Sequence, residues 1–196
     1  SFINLTAGNE YITNYGSRII SKLSQAYRPN GYHAGSVWPL FTGWHALAAW
    51  KAGRSEVALP LTYANLMIYN DWGFGYNEEV LNGDIYKPSG VCRHQCWSET
   101  MALQPVVEGM LGFQPDAPCR TLTFTPNIPG QWDFLQIENL RCGNDLINVS
   151  MQKKSNSVSW SFIPKGGELK VNFRPIFSFG ETPTRIMLNG KDISFN

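Results

Sequence analysis

The spacing of apolar residues changes once along this chain, and that change restricts its folds more than any other feature. From about residue 36 to 111 they recur at helical intervals, and beyond about residue 120 they alternate with polar ones. The first pattern lays one face of a helix on a core, the second one face of a strand. Gln114-Pro115-Asp116-Ala117-Pro118 stands between them and reads as a linker. The sequence therefore predicts an α+β chain of two modules, 1–116 helical and 117–196 all-β.

Within the helical part, Ser36 is placed to cap a helix that admits Pro39 in its first turn and ends at Gly53. Val37, Leu40, Phe41, Trp44, Leu47 and Ala48 form its expected buried stripe. A second helix opens at Ser55-Glu56 and runs to about Asn70, making an αα-hairpin with the first. A third is expected over Arg93–Leu111, burying Cys96, Trp97, Met101, Ala102, Val106, Met110 and Leu111, kinked at Pro105 and ended by Gly112. Tyr11 to Leu23 permits a short helix, against which Gly16 argues, and Tyr27 to His33 carries turn chemistry. In the tail, Ile147/Val149/Met151, Val158/Trp160/Phe162 and Leu169/Val171/Phe173 read as strands with one wet face. Lys165-Gly166-Gly167 and Asn189-Gly190 read as hairpin turns, and the simplest assembly is an antiparallel sandwich.

Chemistry concentrates in Gly73 to Ser98, where Glu78, Glu79 and Asp84 sit among glycines, aromatics and His94. Such a loop can hold its acids at the mouth of a pocket, or simply turn them to water. A net charge of +1 with 16% charged residues gives no electrostatic basis for binding nucleic acid or an anionic membrane. No apolar run reaches the roughly 18 residues of a membrane span. An aromatic content of 13%, with seven Trp, suits pockets for neutral ligands such as sugars, and equally suits a large core. Cys92, Cys96, Cys119 and Cys142 are too sparse for a disulfide scaffold, and buried thiols are the expected state. Cys92, His94 and Cys96 allow a metal site to be drawn, but their spacing is not that of a zinc knuckle. Asn4-Leu5-Thr6 and Asn148-Val149-Ser150 match the glycosylation sequon. A first residue of Ser1 suggests a processed or excised piece.

Three local patterns resemble one family. Tyr32-His33-Ala34-Gly35-Ser36-Val37-Trp38-Pro39 with Thr42-Gly43-Trp44 is similar to the His-x-Gly-[Ser/Thr]-Val-Trp-Pro entry of bacterial glycogen-debranching-type (amylo-α-1,6-glucosidase-like) glucosidases. Glu79-Val80-Leu81-Asn82-Gly83 resembles their Glu-x-x-x-Gly segment, and Gln95-Cys96-Trp97-Ser98 the Gln-x-Trp-Ser that follows it. Order and spacing agree over about 65 residues. The tail from Thr123 to Trp132 also looks like the β-domain appended to related enzymes.

The resemblance implies the C-terminal part of an inverting glycoside hydrolase: part of an (α/α)6 barrel followed by an antiparallel β-sandwich. Its substrates would be α-linked glucosides or oligosaccharides. Glu79 would be the general base, with Glu78 as the register-shifted alternative. Trp38, Trp72, Tyr76 and Trp97 would wall the sugar, and His33 and Gln95 would bind its hydroxyls. The general acid would lie on an earlier segment, so the isolated chain is expected to be inactive. Exposed helix faces would associate with the rest of the parent enzyme or with a second copy. Neither a metal nor an organic cofactor is required, and bacterial cytoplasm and periplasm both stay open. The rival reading is a non-catalytic carbohydrate-binding or structural module.

Overall fold

The computed structural model describes residues 2–72, 75–177 and 181–194. Gly73 and Phe74, the head of the acidic loop, lie outside the described residues, as does Ser1.

The chain opens with one helical turn, α1 (Phe2–Thr6), and a minimal hairpin of β1 (Ile12–Thr13) and β2 (Gly16–Ser17). That hairpin stands where a short helix was conceivable, because Gly16 turns at φ 137°, outside helical space. Then come α2 (Pro39–Lys51), α3 (Ser55–Trp72) and α4 (Cys96–Gln104). Pro39 supplies the preset φ of a first helical turn. Trp38, not Ser36, occupies the N-cap, and no side chain caps there. Gly53 at φ 72° closes α2, with Gly53 N–H donating to Trp50 O and Arg54 N–H to Ala49 O, a Schellman ending. At Pro105, where a kink was expected, α4 ends. Pro105 opens a π-helical turn, Pro105–Met110, whose wider hydrogen-bond spacing accommodates the missing N–H.

These helices do not form part of an (α/α)6 barrel. The described residues hold four helices and four small sheets, and of the helices only α2 and α3 follow one another as a hairpin. The described residues between α3 and α4, 75–95, are irregular or extended, so among the described residues no second helical hairpin follows the first.

The strands also depart from an antiparallel sandwich. β3 (Phe113–Asp116), β4 (Thr121–Phe124) and β8 (Lys170–Phe173) form a mixed sheet, in which β4 and β8 run parallel. β5 (Phe134–Cys142), β6 (Asp145–Lys154) and β7 (Ser157–Pro164) form an antiparallel one. β9 (Ile186–Leu188) and β10 (Lys191–Ile193) pair across Asn189-Gly190, both at positive φ, as a two-residue turn demands. Lys165-Gly166-Gly167 is not a hairpin turn, since the strand after it crosses to β4. Residues 114–116, expected in a linker, belong to β3.

One core spans helices and sheets. Ala46, Ala49 and Trp50 of α2 and Ala58 and Leu61 of α3 meet Leu122, Phe124, Ile147 and Val149. Of the stripe expected to be buried, Val37 is fully buried, but within α2 Phe41 and Trp44 are partly exposed, while Thr42, Gly43, His45, Ala46, Ala49 and Trp50 face inward. Small residues win that side because α4 crosses there, and a Cβ on Gly43 would collide with the Met101 side chain. Cys96 and Trp97 of α4 are likewise exposed rather than core.

Trp50 is fully buried and donates its indole N–H to Thr62 Oγ1 at 3.0 Å. Trp50→Ala should cost about 3–5 kcal/mol in urea unfolding, whereas Trp44→Ala should shift stability by no more than about 0.5 kcal/mol. His45 is buried between Thr6 Oγ1 (3.0 Å) and Ser17 Oγ (2.8 Å), and burial lowers its pKa. The unfolded chain therefore takes up a proton near pH 6.5 that the folded chain resists. Stability should be level above that pH and fall as pH drops below it. His45→Gln should flatten this limb in thermal melts run across the range.

Candidate functional site

The site is built on short extended passes of backbone. Val37 and Leu81 exchange N–H···O bonds of 3.0 and 2.8 Å, Arg18 bridges Val37, and Pro88 bridges Leu81. Asn77 to Gly83 is thereby held as a buried extended segment rather than a solvated loop. Its other end is fixed by Cys92 and Gln95, since Glu79 N–H donates to Cys92 O (2.9 Å) and Gln95 N–H to Asn77 O (3.1 Å). Asn77 Nδ2 reaches Ser98 O at the start of α4.

Both glutamates are buried, each only 5% exposed, and their surroundings differ. Glu79 Oε1 accepts a 2.6 Å hydrogen bond from Tyr32 Oη, and that bond raises the Tyr32 pKa, keeping the phenol a donor. Tyr32 packs edge-on against His33 (4.6 Å) and Trp38 (4.5 Å), and Trp38 returns its indole N–H to Tyr32 O at 2.8 Å. His33 stacks on Trp38 at 5.8 Å and is itself exposed. Glu78 occupies the alternate position along the segment. Burial pushes its carboxyl up, partly offset by the Gly90 N–H and by Arg93, and the charge of Glu79 adds to the rise. Its Oε1 is buried without a partner.

Glu79, His33 and Trp38 thus come together around Tyr32. Gln95 is tied to the same segment through its backbone. Tyr76 packs on His94 at 4.3 Å, and His94 Nε2 lies 2.7 Å from Glu99 Oε1. Trp97 stands on the exposed side of α4. Trp72 belongs to another group, stacked at 4.7 Å on Tyr86, which packs on Tyr15. Asp84 is held in a clamp: Lys22 Nζ at 2.8 Å and Tyr27 Oη at 2.9 Å hold its carboxyl below the usual range, with Arg18 beside them. Cys92 donates to His94 O, and among the described residues no three His, Cys, Asp or Glu side chains are placed to hold a metal.

Sequence reasoning missed Tyr32 as the partner of Glu79. Its position directly before His33, in the motif that enters α2, was the available signal. A scan against protein-family models finds no match for this chain, and neither does a search of the curated proteins.

The burial of Glu78 sets a test. A carboxyl whose folded pKa is raised is most comfortable below its unfolded pKa and loses stability as pH rises through the folded value. Glu78→Gln should therefore raise Tm at pH 7, with the gain vanishing as pH falls below about 4.3. A Tm unchanged at pH 7 would mean that Glu78 is solvated.

Proposed function

We propose that this chain carries the water-activating carboxylate of an inverting glycoside hydrolase acting on α-linked glucosides, and that Glu79 is that carboxylate. The observation that carries the reading is the 2.6 Å hydrogen bond from Tyr32 Oη to a Glu79 carboxylate otherwise withdrawn from solvent. A general base must be aimed, and a single phenol donor fixes one oxygen while leaving the other to accept from water. Inverting hydrolysis places this group below the sugar ring, with a protonated carboxylic acid at the leaving oxygen above it. Another segment supplies that acid in this reading.

His33, exposed and braced on Trp38, offers a hydrogen bond to a sugar hydroxyl, and Gln95 does the same from the facing pass. Trp38 is only 4% exposed, so its part is to hold Tyr32 and His33 rather than to touch sugar. Tyr76 and Trp97 are partly exposed and offer aromatic surface on which a pyranose can stack. Trp72 supports the far side of the loop through Tyr86. The mechanism calls on no metal or organic cofactor. Partly exposed Phe41, Trp44, Tyr63 and Met67 support association with the rest of a larger enzyme or with a second copy.

Without a general acid the chain alone should turn over α-linked gluco-oligosaccharides at least about 10²-fold more slowly than the complete enzyme. In that enzyme, Glu79→Gln should abolish kcat while leaving substrate binding largely intact, because it keeps size and deletes basicity. Glu78→Gln should be mild, and azide should restore turnover to Glu79→Ala by occupying the vacated space. Steady-state kinetics decide the matter. If Glu78→Gln or Glu99→Gln loses kcat while Glu79→Gln keeps it, the base is that residue. If all three stay near normal, the loop is not catalytic and a carbohydrate-binding role replaces the hydrolase.

A further inference from the structure

The outward face of the β5–β6–β7 sheet has an unusual chemistry. Strand register aligns Phe134, Gln152 and Ser159 in one row and Gln136, Ser150 and Ser161 in the next, with Asn148 opposite Ile163 in a third. The opposite face carries Ile147, Val149 and Met151 into the core, so alternation turns all eight residues of these rows outward. Between Phe134 and Ile163, every side chain in the rows is an uncharged amide or hydroxyl. A solvent face normally mixes in about 25–35% charged residues.

This face is also hollow. A solvent-open depression of about 270 Å³ is lined by Phe134, Gln136, Asn148, Ser150, Gln152 and Ile163, together with Val149. The irregularity in β5 between Ile137 and Leu140 lies beside it, and there Asn139 N–H donates to Asn148 Oδ1 at 2.9 Å. That bond fixes the Asn148 amide and leaves its NH₂ free to donate. Gln136 Nε2 is likewise held on Glu138 Oε1 at 2.8 Å, leaving its oxygen as an acceptor. Phe134, 56% exposed, offers a ring face at the end of the amide and hydroxyl rows.

We propose that this hollow binds a neutral glycan, taking one sugar ring of a longer chain. Aimed donors and acceptors without charge match a polyhydroxylated ligand, and an exposed ring suits its apolar C–H face. Its volume falls just below the roughly 300–1,000 Å³ of pockets that enclose larger ligands, which fits a single ring. A nucleic acid would need cations, which the lining lacks. A protein partner would favour Met, Arg and aromatics over the serines found here. The site stands apart from Glu79 and does not depend on the hydrolase reading.

The test is a titration of the whole chain with maltohexaose and with cellohexaose, followed by backbone amide chemical shifts. Shifts should concentrate on residues 134–136, 148–152 and 159–163 with at least one of the two sugars. Phe134→Ala should weaken that binding at least about tenfold, and Gln136→Ala about threefold to tenfold. Ser150→Arg fills the hollow without touching the core and should abolish binding at unchanged Tm. Should Phe134→Ala unfold the chain, Ser150→Arg carries the test alone. Absence of binding to both sugars overturns the proposal. So do shifts confined to the Tyr32–Glu79 region, or wild-type affinity in Ser150→Arg.

Discussion

Two hydrogen bonds between Val37 and Leu81 hold the two halves of the candidate site in register. Both residues are fully buried, so each N–H and C=O must find a protein partner or forfeit about 1–3 kcal/mol. Once they pair, everything on either side is placed. Trp38 follows Val37 directly into α2, and Glu79 lies two residues before Leu81. The far end of the segment is closed by Arg18 Nε on Gly83 O and by the clamp on Asp84. Glycine is obligatory at position 83, because a Cβ there would strike the Gly35 carbonyl. The acidic stretch is irregular in sequence yet rigidly held for this reason.

Helix existence was legible in the sequence, but helix orientation was not. Apolar spacing announced α2 and α3, and Gly53 marked the stop between them. The same spacing pointed the wrong face of α2 inward. Hydrophobicity favours burying Phe41 and Trp44, but the close approach of α4 favours Gly43, Ala46 and Ala49, and packing distance prevailed. Trp50, which does reach the core, sits on the small-residue side, where Gly109 leaves room for its ring. In the tail, alternation identified β6 and β7, but nothing local distinguishes a strand that pairs parallel with β4 from one that folds back on β7. Strand partners are chosen over long separations, and residue periodicity is silent on them.

The site shows the same division. Glu79 and His33 could be picked out because their residue types carry chemistry in short motifs. Bringing them together through Tyr32 depends on the pairing of residues 37 and 81, which no local pattern encodes. Trp72, expected to wall the sugar, stacks on Tyr86 instead, and Asp84, from the same loop as Glu79, anchors two turns of the N-terminal region. Sharing a loop did not mean sharing a pocket.

Asn127 gives the fold a temporal property as well as a spatial one. Its Nδ2 donates to Trp50 O, near the end of α2, across 77 residues of chain, and its own N–H donates to Met110 O at the end of the π turn. A chain synthesised from its N-terminus completes α2 long before residue 127 exists, so until then the Trp50 carbonyl has Gly53 N–H as its donor and lacks the Asn127 amide. Loop closure over such a span adds entropy only logarithmically, but it cannot precede the arrival of the residue that closes it. The last turn of α2 is finished by a part of the protein made much later.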